Sequence, residues 1–116
     1  MRAKRSRSAV AVTRGTDNVF ADLGLPDAEE HRAKYELVRI LRGIVEGRGW
    51  TQREAASRLG VRQPDVSDLF RGKLARFSRE RIERFLVALD MDVAIRVGPK
   101  PRGRERGRLV VEAVEG

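Results

Sequence analysis

Cysteine is absent from the 116 residues, and histidine occurs once. Without cysteine there is no disulfide scaffold and no Cys-based zinc site, and the composition fits a reducing compartment. The single histidine, His31, falls among charged residues in a helical pattern. No nucleophile–base pair and no metal-ligand cluster accompanies it, so neither enzymatic chemistry nor a metal or cofactor is expected. No apolar run approaches the roughly 18–20 residues needed to cross a bilayer. The first residues, MRAKRSRSAVAVTRG, are basic, but their apolar part, Ala9 to Val12, falls short of the about 7–15 residues of a signal-peptide core. A soluble cytoplasmic protein is the expectation. No internal repeat is evident.

What is present is a modest apolar content, 41%. At this length that supports one compact core of marginal stability, and a dimer or partner would reinforce it. Charge is unevenly placed. Residues 1–14 carry Arg2, Lys4, Arg5, Arg7 and Arg14 without an acid, residues 15–95 hold 14 basic and 14 acidic side chains, and residues 96–116 hold six against three. The formal net charge of +8 therefore lies in two tails around a neutral body. Basic arms beside a neutral domain favour a polyanion, or else are solvated, disordered ends.

Local signals divide the chain into a basic disordered tail at 1–17, a helical domain with a C-terminal strand at 18–97, and a basic Pro/Gly-rich tail at 98–116. Val19, Phe20, Leu23 and Leu25 give the stretch Asn18–Pro26 the anchors of a short arm. Asp27-x-x-Glu30 resembles a capping box and opens a long helix to about Arg48. Glu29 and Glu30 suit the positive end of its dipole. Ala33, Leu37, Leu41, Ile44 and Val45 share one face of that helix. Gly43 weakens it and invites a kink. Thr51-x-x-Glu54 is a full capping box for a short helix, Gln52 to Leu59, stopped by Gly60. A second short helix runs from about Gln63 to Arg71, with Pro64 tolerated in the first turn. Ser78 caps another, about Arg79 to Leu89, with Ile82, Phe85, Leu86 and Leu89 aligned. Val93, Ile95 and Val97 then alternate as in a strand, and a second strand pattern covers 109–114. The fold expected is mainly α, about five helices with a short C-terminal β-strand. An exposed strand edge invites pairing across a two-fold axis, which casts Val93, Ile95 and Val97 as dimerisation residues.

The functional signal lies between Gln52 and Arg71. Two short helices crossing at a tight turn need small residues at the crossing, supplied by Ala55 and Ala56. They also need a turn residue that tolerates positive φ, supplied by Gly60. Val61, Val66 and Leu69 turn inward. Arg62, Gln63, Pro64, Ser67, Asp68 and Arg71 are left on the outward face, the face that such a helix lays in the major groove. Trp50, just before the capping box, reads as a staple to the core or as a contact for a partner protein.

These twenty residues resemble the helix-turn-helix of phage-repressor-like, or Xre-family, regulators. Together with the arm, the long helix, the Phe77-Ser78 helix start and the Val93–Val97 pattern, residues 18–98 are similar to HigA-type antitoxins of that family. The resemblance implies a dimer that represses its own promoter and neutralises a RelE/HigB-like mRNA-cleaving toxin. It also implies that Gln52 meets the DNA backbone and braces Gln63. A Gln amide pairs with adenine N6 and N7, which makes Gln63 the expected base reader. Arg62 and Arg71 would reach guanine or phosphate, and Ser67 a phosphate or base edge. Arg53, Pro64 and Lys73 complete the expected DNA-binding set. Asp68 sits badly beside phosphates: it either accepts from cytosine N4 or is paired with a nearby arginine. Asp65 poses the same difficulty. Two other readings stand beside the antitoxin: a solitary Xre-family repressor without a toxin, and a helix-turn-helix module for protein interaction, which the two acids favour. For a toxin, the arm, the exposed side of the long helix and the acids Glu29, Glu30 and Glu36 are candidate surfaces.

Overall fold

The structure, a computed structural model, describes residues 25–114, and side chains from residue 28 onward. The tail at 1–17 and most of the arm at 18–25 lie outside the described residues. Four α-helices follow one another: α1 (Leu25–Gly47), α2 (Gln52–Leu59), α3 (Gln63–Phe70) and α4 (Arg79–Ala88).

Helix α1 begins at Leu25, two residues before the Asp27 start signal, and takes Pro26 into its first turn, where a missing N–H costs nothing. It runs unbroken through Gly43, whose surroundings are open. Thr51 caps α2 as its sequence predicts. The Thr51 side chain accepts from the Glu54 N–H at 3.1 Å, and Glu54 accepts from the Thr51 N–H at 2.8 Å. Gly60 closes α2 in the left-handed region, φ 73°, where a side chain would be strained. Ser78 caps α4 by accepting from the Arg81 N–H at 3.0 Å.

Among the described residues, 33–93 with 111–114 form one compact unit. Its core joins Leu37, Val38, Leu41 and Val45 of α1 to Ala55, Ala56 and Leu59 of α2, Val66 and Leu69 of α3, and Ile82, Phe85 and Leu86 of α4. Leu74 and Phe77, from the α3–α4 connection, plug the centre, and Phe77 meets Phe85 edge-on at 6.4 Å. Ile44, Trp50 and Val61 are only partly buried at the margin. Removing such centrally placed side chains costs about 2–5 kcal/mol each.

Among the described residues, 25–32 with 94–110 form the second unit. Within it, the segment 94–110 is held to the start of α1 through Glu29. That carboxylate accepts from the Leu109 N–H at 2.6 Å and lies 3.6 Å from the Arg108 guanidinium.

Two expectations need correction. Four helices, not about five, occur among the described residues. No strand forms there either: residues 93–97 and 109–114 have no regular structure. Ile95 and Val97 are 76% and 74% exposed. The alternation at Val93–Val97 is real, but a strand exists only through the ladder of a neighbouring one, and no other described segment pairs with it.

Candidate nucleic-acid interface

Helix α3 turns Val66 and Leu69 fully inward and leaves Gln63, Pro64 and Arg71 exposed, with Ser67 and Asp68 half-buried. With helical spacing, 63, 64, 67, 68 and 71 share one face, so the structure brings together the outward face expected from the sequence. Arg62 stands exposed just before the helix, Lys73 is exposed just after it, and Arg53 is exposed on α2.

Gln52 and Gln63 start α2 and α3, and the packing of the two helices puts their side chains together. Gln63 Nε2 donates to Gln52 Oε1 at 2.9 Å. That bond uses one of the two amide hydrogens of Gln63. The other hydrogen and Oε1 are left as a donor–acceptor pair, the pattern complementary to the adenine edge.

The two acids of α3 differ in setting. Asp65 is buried and serves the start of the helix, where Oδ2 accepts the Arg62 N–H at 3.0 Å. An acid here also faces the positive end of the helix dipole. Its Oδ1 accepts from Arg76 Nη2 at 2.7 Å. The bond from Arg76, and after it the bond from the Arg62 N–H, hold the Asp65 carboxyl below its usual range. Asp68 accepts from the same Arg76 Nη2 at 2.9 Å through Oδ2, while its Oδ1 lies 3.8 Å from Arg71. Its bonds to the two acids, that to Asp68 foremost, raise Arg76 above its ordinary value. One guanidinium thus offsets both acids on the helix.

Arg76 was not among the residues picked out from the sequence. The signal was an i, i+3 pair of acids on a helix otherwise suited to DNA, which calls for a nearby cation, and Lys73 and Arg76 are the candidates downstream. Phe77 decides between them. Its buried ring lies 4.5 Å from the Arg76 guanidinium and gives that side chain a platform. Trp50 is likewise flanked by cations, Arg58 at 4.5 Å and Arg48 at 5.1 Å from its ring centre, while Arg48 also donates to the Leu89 carbonyl at 2.9 Å. This accords with the staple reading. Val93, Ile95 and Val97 stand apart from the α3 face in sequence and contribute no regular structure to it. No group of three or more His, Cys, Asp or Glu able to hold a metal occurs among the described residues. No described helix is long and apolar enough to cross a membrane.

A family model described as a helix-turn-helix domain matches residues 19–98. A solved structure described as an XRE family transcriptional regulator is 44% identical, with a TM-score of 0.73, covering 77% of this chain and 100% of that one. No curated protein matches. The family match spans the long helix, both short helices and the capped helix that follows. The bonded Gln52–Gln63 pair sits within residues 19–98, and the chain belongs to the XRE family of helix-turn-helix proteins.

Proposed function

We propose that this protein is a transcriptional regulator that binds operator DNA through the outward face of α3. The observation that carries the reading is the Gln52–Gln63 bond, which presents a fixed donor–acceptor pair at the exposed start of the helix. Arg62, Arg71 and Lys73 supply positive charge at its two ends, and Arg53 on α2 adds a phosphate contact. Replacing Gln63 and Arg71 together by Ala removes one base contact and one cation. At about 1–3 kcal/mol for a good base contact, affinity for the DNA upstream of its own gene should fall at least tenfold in a gel-shift or anisotropy titration. Unchanged affinity would refute this use of α3.

The finer reading is that the regulator is an antitoxin. It would act as a dimer paired through Val93, Ile95 and Val97, repress its own operon and neutralise a RelE/HigB-like toxin. The resemblance of residues 18–98 to HigA-type antitoxins supports it, and so does the exposure of Ile95 and Val97, which suits a surface that a second copy covers. Expression of the neighbouring reading frame alone should arrest growth, and co-expression of this chain should restore it. A harmless neighbour would leave a solitary repressor.

A further inference from the structure

The two oxygens of Asp68 are in different situations. Oδ2 is tied to Arg76 at 2.9 Å, whereas Oδ1 has Arg71 at 3.8 Å, beyond hydrogen-bond reach, and the side chain keeps 29% of its surface open. Arg76 is itself held at two further points. The same Nη2 binds buried Asp65 at 2.7 Å, and the guanidinium lies over the buried Phe77 ring. A surface carboxylate with no such tie would sample several rotamers and repel phosphates. Here the charge is offset and the carboxylate is tied through Oδ2, leaving Oδ1 of a partly exposed side chain as an atom that can only accept a hydrogen bond.

In the major groove, guanine offers two acceptors, N7 and O6, and thymine offers an acceptor and a methyl group. Adenine sets its amino donor beside the N7 acceptor, and cytosine alone offers the N4 donor without an acceptor. An acceptor-only oxygen is repelled by N7, O4 and O6 and attracted by N4. We propose that Arg76 is a positioning residue that aims Asp68 at a cytosine, so that Asp68 selects a C·G pair at one position of each half-site. This rests on the DNA reading above and deepens it by naming a base.

The test is selection of binding sites from a randomised duplex library by the full chain and by its Asp68→Ala and Arg76→Met variants, with thermal unfolding of each followed by circular dichroism. Asp68→Ala leaves the Arg76–Asp65 pair in place, so its fold is maintained. The wild type should recover a motif with one cytosine that Asp68→Ala loses, at a cost of about tenfold in preference there. All other positions should stay as they were. Arg76→Met should relax the same position and spare the one read by Gln63. A wild-type motif that survives Asp68→Ala intact would overturn the inference while leaving the DNA reading standing. So would an Arg76→Met variant that loses affinity evenly at every position. A wild type that recovers no motif would overturn the DNA reading itself.

Discussion

Asp65 is the one charged residue buried among the described residues, and its hydrogen bonds favour the ionised form against the opposing effect of burial. Arg76 and the Arg62 N–H donate to it, and the folded carboxyl is held below the 3.8 of an unperturbed aspartate. A group whose folded pKa is depressed contributes stability above its unfolded pKa and loses it as pH falls through the folded value. Asp65→Asn keeps the shape and removes the charge. Its melting temperature should fall below that of the wild type at neutral pH. The gap should narrow as pH drops below 3.8 and close once the pH has passed the lower folded value, where the native carboxyl takes up its proton. Thermal unfolding by circular dichroism across that range measures it, and a gap independent of pH would show that the charge contributes nothing. From the sequence, Asp65 was a puzzle on a helix meant for phosphates. Its partner lies eleven residues away, beyond the reach of any helical spacing rule, and only the folded α3–α4 connection brings the two together.

At the scale of elements, legibility followed how local each cause was. Side-chain caps join residues three apart, so the starts of α2 and α4 could be read directly from Thr51 and Ser78. Gly60 was legible because a left-handed turn favours glycine, and it adopts φ 73°. Gly72 closes α3 at φ 81°, and its role goes further than closing a helix: a Cβ there would meet the Tyr35 hydroxyl at 2.9 Å. That approach pairs α1 with the end of α3 and has no local signature. The Gln52–Gln63 bond was anticipated through family likeness, because nothing in the spacing of two glutamines implies that they touch. The strand at Val93–Val97 failed for the opposite reason. Its alternation is local, but a ladder needs a second strand, and no local pattern tells whether one is on offer.

For the whole molecule, charge and exposed apolar surface are separated. The helical stretch is neutral, the positive excess lies at the two ends of the sequence, and Ile95 and Val97 stand mostly in solvent. A single chain gains nothing from two such side chains in water, whereas a second copy could bury them and align a pair of α3 helices for a two-fold operator. On the dimer proposed above, ending the chain at Asp92 should yield monomers in sedimentation equilibrium where the full chain gives dimers, and should weaken operator binding. Dimers that persist would place the interface elsewhere.

Trp50 is the only tryptophan in the chain, and its ring lies close to both Arg48 and Arg58, which come before and after the capping residue Thr51 in sequence. The molecule thus carries its own optical reporter. Indole fluorescence from this protein arises at a single address, the seam between α1 and α2. Loosening of that seam can be followed apart from events at α3, without attaching a dye.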